Sequence, residues 1–445
     1  MRRLLHRISV TVFAITLILI FYTVFSNGLN SMEYQFGQPT QSYTKTGFVH
    51  AEAGEIVAPG GEPFRVKGFN LPDWLQVEDW LLAGYGSQLG GVGHEPSIRT
   101  FLDTNVEEGY GDFFYQKLRD NFYTREDIFT LAKMGANTFR VPVAYWMFDE
   151  RHKGLQYLDR LVAWAKEYDT YIMLDVQTVP GCQNSASYCD PTLSVNEAPF
   201  FHDKEYRDKT LELWIMLAKY YAHEPTIFGY NIMNEPNNYP HTPERDSVLL
   251  NFYRDVILAI RSVDKNHLII LDGDNWATKL DVFASDEIKL EDVDDNLAYT
   301  IHNYSASSCG VIDGLFPTFT KKRAKRILVA EFNDILRDLP TKQVPVIVGE
   351  YGANCLPKQL AYHEAFMEKG LKHTLYYSPI GTDRRQGGMI LFHFGGDAWR
   401  TYVSTLSKGV KPSDAEMLDA FSSLRTKQLY INDEKRLVDF EKFYK

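Results

Sequence analysis

The chain is short of cysteine and of positive charge, and both shortages narrow what it can be. Only four cysteines occur in 445 residues, and no Cys/His spacing suggests a zinc site. Neither a metal nor an organic cofactor is therefore expected. Acidic residues outnumber basic ones, 58 to 47, for a net charge of −11. Binding to a phosphate backbone needs a basic face, so nucleic acid is not an expected partner. No Gly-rich phosphate loop follows the first strand-like run, which weakens a doubly wound dinucleotide fold. Repeats, low-complexity tracts and a second domain are also missing.

What is present begins at the N-terminus. Arg2, Arg3 and Arg7 precede an uncharged run from Ile8 to Phe25, and the next charge is Glu33. That run is just long enough to span a bilayer, and longer than the apolar core of about 7–15 residues usual in a cleaved signal peptide. The favoured reading is a basic cytoplasmic tip over 1–7, a transmembrane signal anchor over 8–25 and a stalk over 26–60 poor in large aliphatics. A cleaved signal peptide ending near Val24-Phe25-Ser26 is the alternative. In the first case the remainder is a membrane-anchored, type II catalytic domain outside the cell or in a lumen; in the second it is secreted. Oxidation is permitted in either place, so the pairs Cys182–Cys189 and Cys309–Cys355 are plausible disulfides, with free buried thiols as the alternative.

From residue 61 to 445 short apolar runs alternate with longer helical patterns. Strands are expected at 64–71, 137–143, 171–178, 227–234, 267–272, 297–304, 344–350 and 389–394. Helices are expected at 124–134, 156–168, 203–221, 244–263, 321–339, 357–369 and 412–424. Thr124 with Asp127 reads as a helix start and Gly135 as a stop. Continuous apolar strands alternating with helices predict an α/β fold, a single closed (β/α)8 barrel of the TIM type. The long segment 83–120 is expected as a loop closing one end of its cleft.

In such a barrel the chemistry lies at the C-terminal strand ends. Polar residues gather there: Asn70, Arg140, Asp175, Gln177, Asn234, Glu235, Asp272, His302, Tyr304, Glu350 and His393. Glu235 ends the fourth strand in Ile-Met-Asn-Glu-Pro, and Glu350 ends the seventh in Val-Gly-Glu-Tyr-Gly. Strands four and seven face each other across a barrel mouth. Two carboxyl groups about 5–5.5 Å apart cleave a glycosidic bond with retention, one as acid/base and one as nucleophile. Asn234 is placed to hold a substrate 2-hydroxyl, and Arg140 and Tyr304 to keep Glu350 ionised. His302 reads either as positioning a hydroxyl or Glu235, or as a satisfied barrel-end histidine. Trp146, Trp276 and Trp399 read equally as sugar platforms or as packing. The basic run 321–326 reads as a solvated helix face.

These motifs, in this order, resemble glycoside hydrolase family 5. Gly68-Phe69-Asn70-Leu71, the stretch Phe122–Trp146, Leu174–Gln177 with Pro180–Asn184, and His302-Asn303-Tyr304 are similar to its fungal-type exo-β-1,3-glucanase branch. The likeness runs from about Phe64 to Trp399 and implies Arg140, Asn234, Glu235, His302, Tyr304 and Glu350 as the catalytic set. Two positions depart from it. Gln177 stands where the family has His, and Phe392 stands where it has a Trp platform on strand eight; both would line the pocket for the cleaved sugar. The resemblance implies a β-linked glucan or related glycoside as substrate. The alternatives are a transglycosylase, a glucosyl-lipid hydrolase (favoured by an apolar shelf beside the pocket) and a silent carbohydrate-binding barrel.

Overall fold

Strand runs such as Thr138–Ala144 and Tyr171–Thr178 are buried at every position, so each must have neighbours on both edges and cover on both faces. The structure is a computed structural model. It describes residues 45–444 apart from 79–87, 90–93, 150–152, 191, 194–197, 238–239, 241, 340, 342, 378–379, 382–389, 392–396, 424–429 and 432–433. Eight parallel strands close into a barrel in chain order. They are Lys67–Asn70, Thr138–Ala144, Tyr171–Thr178, Ile227–Asn231, Leu268–Asp272, Leu297–Asn303, Val346–Tyr351 and His373–Tyr376. The last pairs with both the first and the seventh.

Helices form where periodicity placed them: Arg125–Lys133, Gly154–Glu167, Lys204–Tyr221, Pro243–Val263, Pro317–Arg337, Leu356–Lys369 and Asp414–Ser423. The first opens on a capping box in which the Thr124 N–H donates to Asp127 Oδ2 at 2.8 Å. Gly135, at φ 101°, stops it in a conformation that L side chains disfavour.

Three expectations are corrected or left aside. The eighth strand is His373–Tyr376 and not 389–394, because the chain must return to the barrel directly after Leu356–Lys369. The pair Ile390–Leu391 joins Ile380–Gly381 and Tyr430–Ile431 in a separate three-stranded sheet. The segment 83–120 is largely helical where it is described, with helices Glu95–Asn105 and Tyr110–Phe122. A buried ion cluster joins them: Glu95 meets Arg99 at 2.6 Å and Arg119 at 2.5 Å. The expected anchor, 8–25, lies outside the described residues, and among those residues no helix is long and apolar enough to cross a membrane.

The lower barrel interior is closed by apolar side chains. Val49, just before the hairpin His50–Glu52/Glu55–Val57, and Ile56 within it pack with Val66, Met173, Phe228 and Ile270 among others. The upper interior is polar, and there the site begins.

Candidate active site

Inward-facing residues alternate along each strand. On strand three the inward column runs Met173, Asp175, Gln177; on strand six it runs Ala298, Thr300, His302; on strand five Ile270 is followed by Asp272. Each column turns from apolar to polar as it rises, so the strand ends bring buried ionisable groups together.

Arg140 is the centre. Its guanidinium is fully buried and donates to Glu350 Oε1 at 2.6 Å, Asn234 Oδ1 at 2.8 Å, Asn231 Oδ1 at 2.8 Å and Asn70 Oδ1 at 3.0 Å. It also pairs with Asp175 Oδ1 at 3.0 Å. A guanidinium cannot be deprotonated in a protein, so its fork fixes the orientation of each of these groups.

Glu350 also accepts from the Tyr304 hydroxyl at 2.7 Å. Its neighbour Gly349 is sterically required: a Cβ there would lie 2.9 Å from His302 Nε2 and 2.7 Å from Thr300 Oγ1. A register shift between strands six and seven falls at this point and sets His302 opposite Glu350.

Glu235 has a different environment. His302 Nδ1 lies 2.8 Å from its Oε1 and 3.7 Å from Glu350 Oε2. Glu235 adopts φ 48°, the left-handed region that is costly for a side-chain-bearing residue. Two bonds hold it there. Its N–H donates to Asp272 Oδ2 at 2.9 Å, and its carbonyl accepts from Asn184 Nδ2 at 3.0 Å. One carboxylate oxygen each of Glu235 and Glu350, with a ring nitrogen of His302, all lie within 4.8 Å of one another.

The two carboxyls differ electrostatically. Burial, with Asp272 adding to it and Arg140 only partly offsetting it, pushes Glu235 up to about 8. Burial also raises Glu350 on balance; His302 when protonated, Arg140 and the Tyr304 hydroxyl pull it down, and an ionised Glu235 pushes it up. Burial lowers His302, which favours its neutral form. At neutral pH this arrangement offers one protonated carboxyl beside one held by donors, the pair that acid-assisted displacement at an acetal carbon requires.

The positions singled out in the sequence thus sort plainly. Arg140, Asn234, Glu235, His302, Tyr304 and Glu350 come together. Gln177 is buried near the end of strand three with no hydrogen bond to its side-chain Oε1 among the described residues, two residues above Asp175 on the same face. Trp146 follows strand two, half-buried, with a buried indole N–H that has no hydrogen-bond partner among the described residues. Trp276 follows strand five within a left-handed turn, and its backbone N–H donates to Pro236 O at 3.1 Å. Trp399 is core, packed among Phe114, Tyr402 and Phe421. Phe392 lies outside the described residues, and its assignment to strand eight falls with the corrected strand. Tyr377 directly follows the true strand eight; its hydroxyl donates to Glu78 Oε1 at 2.9 Å and its ring stands edge-on to Tyr304 at 6.1 Å.

Sequence reasoning missed Tyr188. Both plausible disulfides form, and Cys182–Cys189 closes the loop that carries this tyrosine. The Tyr188 hydroxyl accepts from Asn234 Nδ2 at 3.2 Å and from Asn184 Nδ2 at 3.5 Å. With Arg140 on its oxygen and Tyr188 on its nitrogen, the Asn234 amide has one orientation, leaving its second N–H for a ligand. No local pattern marked this role, because the contact spans 46 residues.

Comparison with known proteins places the chain in a family. A family model for cellulase (glycosyl hydrolase family 5) matches residues 107–378. A beta-xylosidase of Phanerodontia chrysosporium is 30% identical over 265 residues, 58% of this chain and 52% of that protein. A probable glucan 1,3-beta-glucosidase A of Aspergillus niger is 23% identical over 61% of this chain and 66% of that protein. The chain thus spans about half the length of the first of these relatives and about two thirds of the second. Among solved structures, a rutinosidase from Aspergillus niger superposes with TM-score 0.57 at 18% identity, covering 70% of this chain and 89% of that one, a likeness of fold.

Proposed function

The chain belongs to glycosyl hydrolase family 5, and from that premise we propose that it is a retaining β-glycosidase, with Glu235 as acid/base and Glu350 as nucleophile. The observation that carries the reading is the close pair of unlike carboxyls: within 4.8 Å oxygen to oxygen, one pushed up to about 8, the other bound by Arg140 and Tyr304. An inverting enzyme keeps its carboxyls about 6.5–9.5 Å apart to admit a water. In the first step the Glu235 proton goes to the leaving oxygen while Glu350 bonds to the anomeric carbon and the glycosidic C–O bond breaks. In the second, Glu235 takes a proton from water, whose oxygen displaces Glu350.

The substrate we propose is a β-linked glucan or related glycoside, handled in exo fashion as in the β-1,3-glucanase branch, in an exported compartment where the two disulfides persist. Asn234, Gln177 and Trp146 supply sugar contacts, Gln177 through an acceptor that does not titrate. Glu235 and Glu350 serve as acid and nucleophile rather than metal ligands, so EDTA should leave turnover unchanged. The test is sugar release by the full chain from β-1,3-, β-1,4- and β-1,6-glucans, aryl β-glucosides and xylosides, and glucosyl lipids, with Glu350→Gln as the blank. Release by the parent only, with the β-configured product formed first, supports the reading. An α-configured first product, or equal release by Glu350→Gln, overturns it.

A further inference from the structure

Between strand six and the helix that follows it, and on that helix's first turn, the barrel rim carries apolar side chains that nothing among the described residues covers. Val311, Ile312, Leu315, Phe316 and Phe319 are 83, 68, 65, 60 and 65% exposed. The short helix Val311–Leu315 buries none of its residues. Scattered exposed apolar side chains are ordinary on a soluble protein, but five within nine residues form a continuous ledge. The ledge is held rather than loose. Cys309 is bonded to Cys355, just past strand seven, and the Asn354 N–H donates to Ser307 O at 2.9 Å. It therefore springs from the two loops that follow His302-Asn303-Tyr304 and Glu350-Tyr351, on the mouth side of the barrel.

The charge beside the ledge selects its occupant. Phe319, Lys322, Arg323 and Arg326 follow i, i+3, i+4, i+7 spacing on the helix Pro317–Arg337, so they share a face. Lys321 and Lys325 on the same helix are tied to Glu364 and Glu368. Lys322, Arg323 and Arg326 are exposed, with no ion pair among the described residues. A cationic stripe on a chain of net charge −11 is a local reversal of sign. Apolar rings next to unpaired Lys and Arg are the composition of a segment that lies in the boundary of an anionic bilayer, rings among the acyl chains and cations among the phosphates.

We infer that residues 311–326 dock the barrel on an anionic lipid surface, with the active-site mouth turned toward that surface. The inference concerns the docking face and does not depend on the catalytic reading. If that reading also holds, the favoured substrates are glycosides presented by the lipid surface.

The four native cysteines are all bonded, so a cysteine introduced at Leu315 is a unique thiol for an environment-sensitive dye. In the full chain, dye at Leu315→Cys should blue-shift and brighten with phosphatidylglycerol vesicles, and less with phosphatidylcholine. Dye at Leu258→Cys, exposed near the other end of the barrel, should not respond. Equal responses at the two sites, or equal responses to the two lipids, overturn the inference. So does a blue shift without vesicles that grows with protein concentration, since a second copy would then cover the ledge. A second arm compares β-glucosyl ceramide in anionic vesicles with a soluble aryl β-glucoside. The pair Phe316→Ser/Phe319→Ser should slow the first at least tenfold and leave the second unchanged; equal slowing of both counts against the inference. If the parent cleaves neither, the glycosidase reading fails while the dye result still decides the docking.

Discussion

The two ends of the barrel are built from the same eight strands by opposite rules. At the lower end Met173, Ile270, Ala298 and Ile347 meet in an apolar cluster in which no charge needs an answer. Two residues further along strands three and five, Asp175 and Asp272 share a buried space with Arg140, Glu235 and Glu350. That upper end also leaves Gln177 Oε1, His302 Nε2 and Thr300 Oγ1 without a hydrogen bond among the described residues and bends Glu235 to φ 48°. Buried polar groups normally find partners, and strained backbone is normally relieved. The lower end supplies the rigidity, and the upper end uses it to keep ionisable groups in an arrangement they would not adopt in water.

The sharpest break of this contrast is Glu350→Gln. The amide keeps the volume and one acceptor for Arg140, so the barrel should stay folded by circular dichroism. Steady-state turnover should fall by roughly 10⁴-fold or more, as expected when a group acting only in the transition state is removed. Turnover within tenfold of the parent would remove Glu350 from the nucleophile role.

Arg140→Met should be next in size. It leaves Asp175 and Glu350 buried without their shared cation, at a cost of about 3–5 kcal/mol measured by urea unfolding. The matching change below, Ile270→Val, deletes one methylene and should cost about 0.5–1.5 kcal/mol with unchanged kcat/KM. Equal costs at the two ends would mean that the ion network is not what distinguishes them.

The acid role predicts a pH profile. Glu235 must carry its proton to act, so activity should be present below its folded pKa and lost as pH rises through about 8. Asp272 is a like charge that raises that value, so Asp272→Asn should move the alkaline limb to lower pH. A limb that does not move identifies another titrating group.

The smallest effect tests the missed tyrosine. Tyr188→Phe removes the acceptor that orients Asn234, worth about 0.5–1.5 kcal/mol, or roughly two- to tenfold in kcat/KM. The loss should disappear on a 2-deoxy glycoside or in an Asn234→Ala background. A loss that persists undiminished there would make Tyr188 a packing residue only.

Much of this was legible in one dimension. Thr138–Ala144 and Tyr171–Thr178 are legible as strands because short runs rich in Val, Ile, Thr, Phe and Tyr, with polar residues held to the inward face, suit burial between two neighbours. Glu235 and Glu350 stand out because polar residues end apolar strands where a barrel opens. Strand eight was misplaced because His373-Thr-Leu-Tyr is short and half polar, while the run near 390 is longer and more apolar.

What the sequence determined by itself is therefore the alternation of strands and helices and the identity of the groups at the mouth, since both follow from local pattern and chain order. What only the tertiary structure decided is how those groups differ from one another. The elevated Glu235, the donors around Glu350, the bulge at Gly349, the hold of Tyr188 on Asn234 and the uncovered rim at 311–319 all depend on distances between residues far apart in the chain. Burial and Coulomb interaction act through space, and only the folded chain sets those separations.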